Sequence, residues 1–166
     1  FYDNPTKPII DLDNLDFSSE NSKANTHVVH HAGRILCLEE GHVPWEISEE
    51  LETIGPHSFA GRLDGSFTAH PKICPLTGEM LAFGYGFLPP AYLTFFRVSA
   101  EGELVQQQNI EIPAPVMMHD FNITASRVVF MDLPVVFDFE IAVTGGMPFS
   151  FQRDNGARLG VMEREA

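Results

Sequence analysis

No stretch of this chain sustains the 3.6-residue apolar period of a helix. Short runs of β-branched and aromatic residues recur about every ten residues, with turn residues between them. Thirteen glycines and twelve prolines supply the turns. The pattern predicts an all-β chain, either sandwich or propeller, and periodicity alone does not choose between the two. A hairpin is expected from 26–31 and 34–40 around Ala32-Gly33. A short strand follows at 43–47, then turns at Gly55-Pro56 and Asp64-Gly65. Strands are expected at 67–74 and 79–85 across Pro75-Leu76-Thr77-Gly78, and at 92–98 and 104–112 across Glu101-Gly102. The last are 119–123, 128–133 and 158–162. Residues 1–23 are polar and turn-rich and read as a surface connection.

With 166 residues, 44% of them hydrophobic, the chain has material for the core of one domain. It starts at Phe1 without a methionine, so residues 1–166 are read as an incomplete segment of a single longer domain. A net charge of −13 argues against nucleic acid as a partner, because a phosphate backbone calls for clustered Lys and Arg. No apolar run reaches the length of a membrane-spanning helix, and no signal peptide is visible. Cys37 and Cys74 are too few for a disulfide framework. They read as small buried residues of a reducing compartment, which makes the expected location cytoplasmic.

Two histidines stand out among seven. His70 lies in Phe67-Thr68-Ala69-His70-Pro71 and His119 in Met117-Met118-His119-Asp120-Phe121, each between apolar neighbours in a segment that reads as a strand. A repeat of one strand group per roughly 40–50 residues would bring such positions together at a centre. Both imidazoles are therefore expected to face a shared metal, and an imidazole ligand set suits iron, copper or zinc. The ordinary alternative is a buried histidine bonded to a backbone carbonyl. His27, His30 and His31 are expected as partly exposed strand residues, and His42 and His57 as loop residues. Glu39-Glu40 ends an apolar strand with two carboxylates on opposite faces. Either one faces inward to fix a histidine tautomer or both mark a solvated strand end. The apolar loop Phe87-Leu88-Pro89-Pro90-Ala91-Tyr92 is core by default, and otherwise an exposed patch for membrane or apolar substrate. No motif for a nucleophilic Ser or Cys is present.

Several segments together, in order, resemble the carotenoid cleavage oxygenase family. They are Ala24-Asn25-Thr26, Gly33-Arg34-Ile35-Leu36-Cys37-Leu38-Glu39-Glu40-Gly41, Leu51-Glu52-Thr53-Ile54-Gly55, Thr68-Ala69-His70-Pro71-Lys72, Thr77-Gly78-Glu79, Phe83-Gly84-Tyr85, Met118-His119-Asp120-Phe121, Asp132-Leu133-Pro134 and Arg158-Leu159-Gly160-Val161-Met162. The similarity covers about residues 24–164.

The resemblance implies part of a seven-bladed β-propeller, several consecutive blades, with a non-haem Fe(II) on its axis held by four histidines. His70 and His119 match the first two ligands, and the other two lie C-terminal to this chain. Glu40 matches a glutamate that orients a ligand histidine, with its partner expected among the two outside the chain. Glu39 matches a position lining the substrate cavity. Stilbene-cleaving members are expected to carry lysine there, so Glu39 favours a carotenoid or apocarotenoid. Phe87, Leu88 and Tyr92 fall where relatives carry an apolar patch at the tunnel mouth, which implies peripheral membrane contact. The implied activity is an Fe(II)-dependent dioxygenase that cuts a carbon–carbon double bond of an apolar polyene with O2, giving two carbonyl products. The alternatives are a stilbene-cleaving dioxygenase, a retinoid-type isomerase of the same family, and a non-catalytic propeller that binds such molecules.

Overall fold

The computed structural model describes residues 22–63, 65–88 and 91–165. Residues 1–21 of the expected surface connection, Asp64 of an expected turn, and Pro89-Pro90 of the apolar loop lie outside them. The described residues form three larger antiparallel sheets that follow one another along the chain, as consecutive blades of a β-propeller do, and a two-stranded ribbon inserted in the third.

The first sheet runs β1 (His27–His31), β2 (Arg34–Leu38), β3 (Trp45–Ile47) and β4 (Thr53–Pro56), each beside its predecessor. Ala32 and Gly33 both take positive φ, +50° and +74°, as a two-residue hairpin turn matching the strand twist requires. Gly55-Pro56, expected as a turn, instead ends β4, which pairs with β3 across a register shift at Glu46/Ile47. A bulge absorbs the irregularity that the Gly-Pro pair announces.

The second sheet holds β5 (Lys72–Ile73), β6 (Met80–Tyr85), β7 (Leu93–Val98) and β8 (Leu104–Ile110). It is the middle layer. Met80, Ala82, Phe96 and Val98 face one core together with Leu36, Leu38 and Phe67. Leu81, Phe83, Leu93 and Phe95 face the other, with Met118, Phe121, Val128 and Phe130. Burial on both faces explains why Met80-Leu81-Ala82-Phe83 reads as an unbroken apolar run rather than an alternation. The expected strand at 67–74 is much shorter than its β-rich sequence suggests. Only Lys72–Ile73 pairs in the sheet, and Phe67 to Pro71 crosses the core edge as irregular chain. There the Phe67 amide donates to the His42 carbonyl at 3.1 Å and the Thr68 amide to the Phe83 carbonyl at 2.7 Å.

The third sheet is ordered β13 (Arg158–Glu163), β10 (Arg127–Asp132), β9 (Phe121–Ile123). A two-stranded ribbon, β11 (Val135–Phe137) and β12 (Phe149–Phe151), flanks a helix, α1 (Phe139–Val143). That helix was not expected. Five residues are too few to show a period, and its real signal is Asp138, whose carboxylate accepts from the Glu140 and Ile141 amides as an N-cap. His31, expected as partly exposed, is buried, and its Nε2 lies 2.9 Å from the Gly78 carbonyl on the next sheet.

Candidate metal centre

Three chain segments, each beside a different sheet, deliver the candidate residues. Glu40 sits just past β2, His70 just before β5, and His119 just before β9. Neither histidine is inside a strand as expected. Each is held in irregular chain at a strand entrance, where a side chain can point along the sheet edge rather than into a packed face. The His70 amide donates to Thr68 Oγ1 at 3.0 Å, and His27 Nδ1 lies 2.7 Å from the carbonyl of Ala69. The His27 and His70 rings stack at 6.1 Å. Across the site, Lys72 and Asp120 form an ion pair of 2.7 Å, joining the start of β5, two residues past His70, to the residue after His119. Burial pushes the Asp120 carboxyl up, but the bonds from Lys72 and the Phe121 amide outweigh it and hold it below the usual range.

The two imidazoles meet with Nε2 atoms 3.1 Å apart, rings steeply inclined at 70°. Glu40 Oε1 faces His119 Nδ1, and Tyr85 donates its hydroxyl to Glu40 Oε2 at 2.9 Å. One donor atom from each of Glu40, His70 and His119 lies within 4.8 Å of the other two. Oε1 is buried and has no hydrogen-bond partner although it lies beside Nδ1, so a small turn of the His119 ring would let Nδ1 donate to it and leave the Nε2 lone pair free. Two nitrogens each about 2.1 Å from one divalent ion at a right angle lie about 3.0 Å apart. The observed separation suits neighbouring ligands on one ion as well as a hydrogen bond between the two rings, and an imidazole donor set suits iron, copper or zinc. The His119 side chain is 57% exposed while Glu40 is 17% exposed, so the nitrogens open outward and the carboxylate behind them is shielded.

Glu40 meets His119, a histidine inside the chain, not one beyond it as expected. Glu39 turns its carboxylate back onto its own loop, accepting from the Gly41 amide at 3.0 Å and pairing with His42 Nδ1. His42, with Glu40, Tyr85, Phe87, Leu88 and Phe96, lines a cavity of about 620 Å³ behind the metal-facing residues. Phe87 stacks on Phe137 at 4.0 Å, Tyr92 is half-buried, and Leu88 is exposed. Sequence reasoning missed two participants, Tyr85 and His27. Tyr85 lies in the Phe83-Gly84-Tyr85 segment of the family resemblance, and its further sequence signal is a hydroxyl-bearing ring at the end of an otherwise apolar strand.

A family model described as retinal pigment epithelial membrane protein matches residues 2–166. The chain is 42% identical to a carotenoid 9,10(9′,10′)-cleavage dioxygenase 1 of Phaseolus vulgaris over 157 residues, covering 92% of this chain and 29% of that protein. It is 43% identical over 157 residues to the protein of the same name from Arabidopsis thaliana, with the same coverage of 92% and 29%. The crystal structure of Pseudomonas brassicacearum lignostilbene dioxygenase superposes with a TM-score of 0.81 at 38% identity, over 89% of this chain and 32% of that one. The chain thus spans about a third or less of the length of these relatives.

Proposed function

Because the chain belongs to the retinal pigment epithelial membrane protein family, that of the carotenoid cleavage oxygenases, we propose that the whole protein is a non-haem Fe(II) dioxygenase. On this reading it cleaves a carbon–carbon double bond of a carotenoid or apocarotenoid with O2, yielding two carbonyl products. The observation that carries the reading is the convergence of His70 and His119 at 3.1 Å, with Glu40 behind His119. Two converging imidazoles backed by a shielded carboxylate have no evident use in a plain scaffold, which disfavours the non-catalytic alternative.

His70 and His119 would hold the iron through Nε2, together with ligands from outside this chain. Iron(II), when bound, supplies the redox chemistry that lets O2 react with an alkene. The chain's own residues do the rest. Glu40, lying against His119 Nδ1, would accept a hydrogen bond from that nitrogen and so fix the ring with Nε2 free for the metal. His27 and Thr68 fix the loop that carries His70. Lys72 and Asp120 hold the two loops at constant spacing. Apolar walls such as Phe87, Leu88 and Phe96 suit a polyene. Because Glu39 stands where a lysine would meet a phenol, the carotenoid reading is preferred over the stilbene one. The likeness to a lignostilbene dioxygenase makes stilbenes the substrate class to assay beside it.

The test is iron content and O2-dependent bleaching of an apocarotenal by the full-length protein and its His119→Ala variant. Loss of both in the variant is the expected outcome. Stoichiometric iron without aldehyde products would redirect the reading to an isomerase or binding protein. Absence of iron from the folded full-length protein would end it. A cytoplasmic protein touching membranes through Phe87, Leu88 and Tyr92 completes the proposal, against an opposing charge of −13. Flotation with neutral liposomes checks it, and complete retention in the aqueous fraction would remove the membrane contact.

A further inference from the structure

Tyr85 belongs to no part of the ligand set, yet it is held beside it at both backbone and ring. It is the last residue of β6 and pairs with Leu93 of β7. Ser66 Oγ donates to its carbonyl at 2.7 Å. That approach exists because residue 84 is glycine: a β-carbon there would sit 2.2 Å from the Ser66 carbonyl oxygen. The Tyr85 ring packs edge-on against Phe87 at 5.8 Å and lines the 620 Å³ cavity. A phenylalanine would fill that place as well, so the informative atom is the hydroxyl, which donates to Glu40 Oε2 at 2.9 Å.

We infer that Tyr85 is a positioning residue for the metal centre, fixing the plane of the Glu40 carboxylate and through it the orientation of the His119 ring. This rests on the reading of His70 and His119 as metal ligands. The last torsion of a glutamate is broad, so one contact on one oxygen leaves the carboxylate free to swivel. Two contacts on the two oxygens fix it. Oε1 lies against His119 Nδ1 at ion-pair distance without a hydrogen bond, and Oε2 accepts the Tyr85 hydroxyl, the directional contact of the two. Burial, then the charges of Glu40 and Glu39, push the phenol's pKa well up, so the hydroxyl stays a donor across the working range. The chain of contacts therefore runs from a strand end, through one phenol and one carboxylate, to the metal-facing nitrogen.

The experiment uses full-length protein stripped of metal and titrated with cobalt(II), whose visible ligand-field bands report both affinity and ligand orientation. Removing a direct partner of a ligand histidine typically costs 10–100-fold in metal affinity, so a residue one contact further out is expected to cost about 3–10-fold. Tyr85→Phe should weaken cobalt binding by that factor and shift the bands, while the metal-free unfolding midpoint stays near wild type. In a Glu40→Gln background the same substitution should add little, because the relay is already broken. Unchanged affinity and bands in Tyr85→Phe, or an equal loss in both backgrounds, would overturn the inference. A second measurement does not depend on that variant folding. Wild-type protein made with 3-fluorotyrosine carries a stronger donor in nearly the same volume, and its cobalt bands should move; unmoved bands would overturn the inference. Failure of the wild-type protein to bind cobalt would overturn the metal reading and this one together.

Discussion

Gly84 shows how tightly single residues are constrained near the site. A methyl group there meets backbone, not a flexible side-chain end, so β6 or the Ser66 loop must move. Gly84→Ala is expected to cost about 3 kcal/mol, the upper part of the overpacking range, and to displace Tyr85. Urea unfolding of the full-length protein checks the stability, and cobalt affinity checks the displacement. At this scale the convergence of His70 and His119 was foreseeable from their apolar settings and from the family resemblance, while Glu40 stood out only through the resemblance, because a carboxylate at a strand end is ordinarily solvated. The partnerships were less legible. Tyr85 reaches Glu40 across 45 residues of chain and His27 reaches Ala69 across 42. No local pattern encodes such pairs. His31 fooled the alternation rule for the same reason: its strand faces a neighbouring sheet that the local sequence does not announce.

At the scale of elements, one buried cluster fastens the second sheet to the third. Arg164, just past β13, is buried and reaches Glu79 at 3.3 Å, Cys74 Sγ at 3.4 Å and the carbonyls of Thr124 and Ala125. Glu79 also pairs with Arg97 at 2.7 Å. Bonds from Thr77, then Arg164, draw the Cys74 thiol down to about 6. Burial pushes the Glu79 carboxyl up, but its bonds to Arg97 and Thr77 and the two guanidinium charges hold it below the usual range. A carboxylate with a lower pKa folded than unfolded contributes stability above its unfolded value of about 4.3. That contribution fades as pH falls through the folded value. Glu79→Gln, which leaves buried Arg164 without its carboxylate, should therefore lose about 3 kcal/mol at neutral pH. The gap from wild type should close as pH falls through the folded carboxyl's value, which lies under that of the unfolded chain. Urea unfolding at stepped pH reads both. Most strands were legible here because turns bracket them. The strand expected over 67–74 was not, because Phe67 to Pro71 is apolar for packing, not for pairing. The five-residue α1 was not, because its only mark is its cap.

For the whole molecule, successive sheets were foreseeable from the even spacing of strands and turns. The choice of propeller over sandwich was not, since it came from resemblance and then from structural likeness. The described chain leaves apolar side chains in the open, among them Met147, Phe151, Leu159 and Val161. β13, which carries the last two, is an edge strand of its sheet. An open, apolar edge is a template for pairing. Residues 1–166 expressed alone should therefore self-associate in size-exclusion chromatography, and co-expression with the remainder of the full-length protein should suppress it. A monodisperse monomer would contradict this.

In both four-stranded sheets the strands lie side by side in the order they occur along the chain, and that gives the site a timetable. During synthesis Glu40 and His70 emerge first, and His119 follows 49 residues later. At typical elongation rates that interval is roughly 2–10 s, far longer than a hairpin needs to form. The first sheet thus has time to form, Glu40 at its edge, before His119 has left the ribosome.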